Sequence, residues 1–339
     1  MIEVSAPGKI HIIGEHSVVY GFPAIISAID KRTKIRAEKS KKVKIINLYY
    51  KKMKEFDTTE IFLVAKKAKK LWQEGNKKND FSQLFDFLNS NFWKRSQAMV
   101  GIVMEKLGLK KEGIFLEIST NLPIGKGLGS SASFSVSLVK AISCVYGLQL
   151  KNEKVNNIAF ELEKLNHGRP SGGDNTICTF GGTIWFEKGK IKKISLPSFF
   201  SKIFVILTER KKGLDTGYYI EKVKRLKKEI REKIMKNLGE IAQDFKKSFK
   251  EKNLEKIKYL INKAQENLEK LGISNYKIEK IANLVREKGG ALKISGGGAG
   301  ALICFHEDKR KLKNILKKMK LSFFETKLGE KGVKIESYQ

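Results

Sequence analysis

NLPIGKGLGSSAS, residues 121–133, follows a strand-like run at 114–118 and leads directly into a helical pattern over 131–147. Glycine lets a backbone take positive φ and approach a ligand with no Cβ in the way. The start of the helix aims unpaired N–H groups and the positive end of its dipole into the loop. Together these make a phosphate cradle. Ser130 and Ser131 add hydroxyls that either cap the helix or reach a metal ion. A plain strand–helix turn with Ser130 or Ser131 as N-cap needs one or two glycines, whereas this one carries Gly125, Gly127 and Gly129. The loop is neither GxxxxGK[ST] nor GxGxxG. A GxGxxA match at Gly296, Gly298 and Ala301 runs into strand-like ALICF instead of a helix, which argues against a dinucleotide site.

Three further clusters flank this loop. In SAPGKIHIIGEHSVVYGFPA, residues 5–24, Lys9 lies between two strand-like pieces broken at Pro7-Gly8, and Gly14-Glu15-His16 ends the second. In ELEKLNHGRPSGGDNTICTFGG, residues 161–182, a helix ends near Asn166, and Asp174 and Asn175 sit on a tight loop before a strand expected within 176–186. Asp174 reads either as an Asx-turn former or as a functional carboxylate. Glu163, eleven residues upstream, could converge with it near the phosphate loop. With Ser131 it would offer the hard oxygens that Mg²⁺ prefers. In ALKISGGGAGALICF, residues 291–305, the run Gly296–Gly298 with Gly300 implies close backbone packing, a ligand, or both.

The remaining sequence reads as α+β. Strands are expected around 24–37 and 43–50, and the pattern from 55 to 107 turns helical with breaks at 73–80 and within 81–108. Composition shifts to lysine and glycine around 187–193, which places a boundary between domains 1–188 and 189–339. The second half reads as a strand at 203–208, helices between 217 and 287, strands at 291–295 and 300–305, a helix over 307–319 and two closing strands. Three widely spaced cysteines exclude a disulfide framework. No apolar run suits a membrane span and no secretory signal is evident, so a cytoplasmic protein without a membrane partner is expected. Lys+Arg 68 against Asp+Glu 36 gives a net charge of +32. The excess is spread lysine instead of an arginine-rich stripe, so no specific nucleic-acid partner is expected.

Four motifs, in order, resemble the GHMP small-molecule kinase superfamily: APGKIHIIGEHSVVYGFPA, PIGKGLGSSAS, HGRPSGGDNTICTFGG and KISGGGAGA. Within it the chain is most similar to the mevalonate-kinase branch. The resemblance implies an N-terminal domain like domain 2 of ribosomal protein S5 and a ferredoxin-like C-terminal domain. It implies ATP and Mg²⁺ as cofactors and mevalonate as acceptor, phosphorylated at its C5 hydroxyl, and leaves a homodimer open. Carried over by position, it makes Asp174 and Lys9 catalytic and Ser131 and Glu163 magnesium ligands. It assigns Gly125, Lys126, Gly127, Leu128, Gly129, Ser130 and Ser131 to the ATP phosphates, and Glu15, His16 and Thr216 to the acceptor. The chain departs from the pattern at Lys126, at Gly173, where a roomier acceptor wall is expected, and at Leu214, where a basic residue is usual. The alternatives are a sister kinase acting on phosphomevalonate, another mevalonate hydroxyl or a sugar, and a non-catalytic, basic nucleotide- or RNA-binding protein. Retention of both Asp174 and Lys9 speaks against a mere binder.

Overall fold

The computed structural model describes residues 1–209, 216–298 and 300–338. In chain order, β1 (Ile2–Ile13), β2 (Ala24–Ser40), β3 (Val43–Asn47) and β4 (Lys52–Phe56) precede three helices, α1 (Thr58–Lys78), α2 (Ser82–Asn89) and α3 (Lys94–Lys106). Strand β5 (Gly113–Thr120) leads to α4 (Ser130–Val145), α5 (Asn152–His167) and α6 (Gly173–Phe180), and then to the hairpin β6 (Thr183–Glu187) and β7 (Lys190–Lys193). Strand β8 (Lys202–Leu207) is followed by α7 (Thr216–Lys224), α8 (Lys228–Glu251), α9 (Leu254–Lys270) and α10 (Tyr276–Glu287). The chain closes with β9 (Ala291–Ser295), β10 (Ala301–Phe305), α11 (Lys309–Lys318), β11 (Phe323–Lys327) and β12 (Lys334–Tyr338).

Among the described residues the first sheet has eight strands, with the path β12-β1-β2-β5-β3-β4 and the β6–β7 hairpin added on β2. The second sheet has four strands in the order β11-β8-β10-β9. Its β-α-β-β-α-β sequence of elements is the expected ferredoxin-like arrangement. Two cores result. One, built on Val136, Ile142, Leu162 and Met104, lies between the first sheet and α1, α3, α4 and α5. The other packs the second sheet against α8 to α11 around Phe200, Phe245 and Phe305, and takes in Ile10, Ile12 and Ile13 of β1. Strand β1 therefore serves both cores. The division at 188/189, which we propose, leaves β7 and β12 of the first sheet beyond the boundary.

Several sequence expectations are corrected. Residues 2–13 form one strand, with the Pro7-Gly8 break reduced to a register shift between Pro7 and Lys9. Strand β4 forms where a helical pattern was expected to begin, and its lysines face solvent, which blunts an edge strand. Helix α1 extends into the expected break at 73–80 and ends only near its far side, at Asn79 in the left-handed conformation. Residues 173–180 are helix α6, and the expected strand within 176–186 is confined to β6. Thr176, Ile177 and Thr179 favour a strand locally, but Gly172 (φ 84°) starts a helix that packs against α4 and α5, and burial outweighs propensity.

Candidate active site

Side chains on a strand alternate between faces. On β1 this sends Ile10 and Ile12 into the core, while Lys9 and His11 share the other face and meet Asp174. Register shifts bracket the pair, between Pro7 and Lys9 and between His11 and Ile13, and such irregularities re-aim side chains. The Lys9 ammonium lies 2.9 Å from Asp174 Oδ2 and His11 Nε2 lies 3.2 Å from Oδ1. Asp174 occupies the first turn of α6, where the helix dipole favours a negative charge. Its oxygens go to these two side chains, so the Asx-turn reading falls away. Burial alone would raise the Asp174 pKa. The Lys9 charge and the His11 contact overcome that and hold the carboxyl well below the usual carboxylate range.

The glycine loop lies directly against this pair. The Lys9 N–H donates to the Leu128 carbonyl at 2.9 Å. Gly129, at φ 75°, is the N-cap of α4, and a Cβ there would come within 2.6 Å of Lys9 Cγ. Neither Ser130 nor Ser131 caps the helix, which corrects the simpler reading of that turn. Ser131 Oγ instead donates to Glu163 Oε2 at 3.1 Å. A Cβ at Gly296 would lie 2.9 Å from the Gly127 carbonyl oxygen, so the second glycine run packs its backbone on the first glycine loop. Lys126 turns aside and donates to the Thr208 carbonyl at 2.7 Å.

Glu163 is 1% exposed, and its other oxygen accepts from Ser135 Oγ (2.9 Å) and Asn166 Nδ2 (3.0 Å). Two neighbouring ligands of an octahedral Mg²⁺ with bonds of ~2.1 Å are about 3.0 Å apart. The 3.1 Å between Ser131 Oγ and Glu163 Oε2 therefore suits two hard oxygens of one such shell. Among the described residues there is no cluster of three or more His, Cys, Asp or Glu placed to hold a metal.

Asp174 also faces a cavity of about 140 Å³ lined by Lys9, His11, Glu15, His16, Glu163 and Arg169, among others. Glu15 is paired with Lys293 of β9, and both side chains are sealed from solvent. Burial lowers the Lys293 pKa against the opposing pull of Glu15. His16 has φ 60°, an uncommon backbone conformation for a residue with a Cβ, and burial, aided by His11 and Lys293, pushes its pKa down to about 4. Gly173 does not line the cavity. A Cβ there would face Ile26 (2.8 Å) and Phe186 (3.6 Å), so the expected roomier wall is not found. A second cavity, of about 240 Å³, is lined by Tyr49, Tyr50, Met99 and Phe134 and reaches Ser130 and Ser131.

The structure thus brings together Lys9, Asp174, Glu15, His16, Ser131, Glu163 and the loop 125–131. Thr216 begins α7, and Leu214 lies outside the described residues. Three contributors escaped the sequence reading. Lys293 and Ser295 lie in KISGGG, where attention goes to the glycines. His11 carried a signal: two residues after Lys9 on a strand, it shares that face.

A family model described as "GHMP kinases N terminal domain" matches residues 92–182. A mevalonate kinase of Thermococcus gammatolerans is 30% identical over 311 residues, covering 87% of this chain and 86% of that protein. The chain belongs to the GHMP kinases. The mevalonate kinase of Pyrococcus furiosus is 28% identical over 349 residues, covering 98% and 97% of the two chains. The crystal structure of the Methanococcus jannaschii mevalonate kinase matches with a TM-score of 0.79 at 26% identity, over 97% of this GHMP kinase and 98% of that chain. The protein is therefore a kinase and uses ATP. Among its described residues no helix is long and apolar enough to cross a membrane.

Proposed function

We propose that this GHMP kinase transfers the γ-phosphoryl group of ATP to the C5 hydroxyl of mevalonate. The observation that carries the reading is the Lys9–Asp174 pair, set between the phosphate loop and a small cavity. The sequence relatives named mevalonate kinase add support. In this reading the nucleoside occupies the cavity beside Tyr49, Tyr50 and Phe134, and its phosphates follow 125–131 to the start of α4. Ser131 and Glu163 would hold Mg²⁺, which when bound neutralises phosphate charge.

Phosphoryl transfer depends on positioning and charge stabilisation. Asp174 accepts the proton of the C5 hydroxyl as that oxygen bonds to the γ-phosphorus and the bond to the β–γ bridging oxygen breaks, releasing ADP. Because Lys9 and His11 hold Asp174 in its ionised form, its strength as a base is modest and its orienting role is correspondingly larger. Lys9 also faces the charge on the transferring group. Among the described cavity-lining residues, Arg169 is the lysine or arginine not committed to Asp174, its guanidinium steadied by Asn76 at 3.1 and 2.8 Å. One such cation at the mouth of a small cavity suits an acid with one carboxylate better than a phosphorylated one.

The decisive experiment is ATP consumption over a panel of mevalonate, phosphomevalonate and galactose, with the product position assigned by phosphorus NMR. Mevalonate should lead by at least about tenfold in kcat/KM, roughly 1.4 kcal/mol in transition-state binding. A phosphomevalonate or sugar preference, or phosphate on the tertiary hydroxyl, overturns the acceptor assignment and leaves the family unchanged.

A further inference from the structure

We propose that His11 is a positioning residue for phosphoryl transfer: its Nε2–H holds Oδ1 of Asp174 while Lys9 holds Oδ2, so the carboxylate is gripped at both oxygens and turned toward the acceptor. The inference rests on the kinase reading of Asp174 given above.

The contacts are 3.2 Å from His11 and 2.9 Å from Lys9. A single ammonium on one oxygen leaves a carboxylate free to rotate about its Cβ–Cγ bond. A second donor on the other oxygen removes that freedom. A carboxylate offers roughly four lone-pair positions, so one donor on each oxygen still leaves room for the acceptor hydroxyl.

The ring itself is held. His11 is 6% exposed, and its backbone is tied to the second sheet by a reciprocal pair of bonds: its N–H donates to Ser295 Oγ and Ser295 Oγ donates to its carbonyl, both at 3.1 Å. Ser295 is fully buried.

The ring's other nitrogen identifies its state. Nδ1 is buried, and among the described residues it has no hydrogen-bond partner. A cationic ring would carry a proton there and bury an N–H donor with no acceptor, which costs more than an idle lone pair. The ring is therefore neutral with its proton on Nε2, where it donates to Asp174. Burial and the neighbouring Lys9 charge act in the same direction on His11, against Asp174 and the more distant Glu15, and His16 is a further neighbour held neutral by burial. A neutral donor orients Asp174 without the added loss of basicity that a second cation would impose.

The test uses the full chain and the variants His11→Leu, which removes the donor, and His11→Gln, which offers an amide N–H near the Nε2 position, with Asp174→Asn as reference. His11→Leu should lower kcat by about 10- to 100-fold, the range of one hydrogen bond to a charged group. The KM for ATP should stay near wild type. The acid limb of kcat/KM should move to higher pH, because one group holding Asp174 ionised is gone. His11→Gln should restore most of kcat. If His11→Leu does not fold, nitrogen NMR of the wild-type imidazole decides, with Nε2 protonation supporting the proposal and Nδ1 protonation overturning it. Wild-type kcat and acid limb in His11→Leu, or a Gln variant no better than Leu, also overturn it while Asp174→Asn stays strongly impaired. Full turnover in Asp174→Asn instead removes the kinase reading of that carboxylate, and this inference with it.

Discussion

Two lysine–carboxylate pairs meet at this site, and they differ chiefly in access. Lys9–Asp174 joins β1 to α6, and the Asp174 side chain keeps 29% of its surface open toward the cavity. Lys293–Glu15 joins β9 to the end of β1, with exposures of 0% and 1%. The first has a carboxylate that another molecule can touch. The second is a sealed connection between the two sheets, worth little against a well-packed apolar pair yet costly to break on one side. Similar ionic chemistry is thus left open to another molecule in one place and sealed in the other, and burial makes the difference.

Asp174→Asn should break the open pair in function and not in fold. We expect kcat to fall by about 10²–10⁴, the worth of a positioned acid–base group, with ATP affinity preserved in a binding titration. Lys293→Met should do the reverse, costing about 3–5 kcal/mol of unfolding free energy in urea. Adding Glu15→Leu should return much of that stability, because no unpaired charge then remains buried. Failure of the double variant to recover would mean that the sealed pair contributes more than charge balance.

His16 extends the sealed region and supplies a pH signature. With its folded pKa pushed down to about 4 against an unfolded value near 6.5, the unfolded chain binds more protons between these limits. Stability should therefore be highest above about pH 6.5 and decline toward pH 4, by roughly 2–3 kcal/mol for this group. His16→Asn, which tolerates positive φ, should flatten that slope in thermal melts taken across the window.

Smaller effects sharpen the open side. Glu163→Gln should raise the Mg²⁺ concentration needed for half-maximal activity, since a neutral amide is a poorer ligand for a hard dication. An unchanged magnesium titration would remove Glu163 from the metal shell. Arg169→Gln should raise KM for mevalonate by about tenfold, with KM for ATP little changed, as loss of a charge-assisted contact to a carboxylate predicts.

Much of the glycine loop was legible because it is local. The run from β5 through Gly125, Gly127 and Gly129 into α4 is contiguous, so glycine spacing alone announces a tight, positive-φ loop at the start of a helix. The Lys9–Asp174 pair and its cavity were legible in their ingredients only. Asp174 read equally well as a turn former until α6 placed it in a first helical turn opposite Lys9. The roomier wall expected from Gly173 failed for a related reason, since the direction of its missing side chain depends on helix orientation and points to Ile26.

The sequence by itself determined the α+β character, the glycine cradle, the spread lysine charge and, through motif resemblance, the kinase family. Each of these depends on short-range spacing or on composition. Tertiary structure alone decided that Lys293 reaches across 278 residues to Glu15, that Ser295 braces His11 across 284, and that the glycines near 296 pack on the glycine loop at 127. These contacts join strands and loops of the two sheets that lie far apart along the chain. Periodicity can say which face a side chain occupies, but only the packing of one sheet against the other says what that face meets.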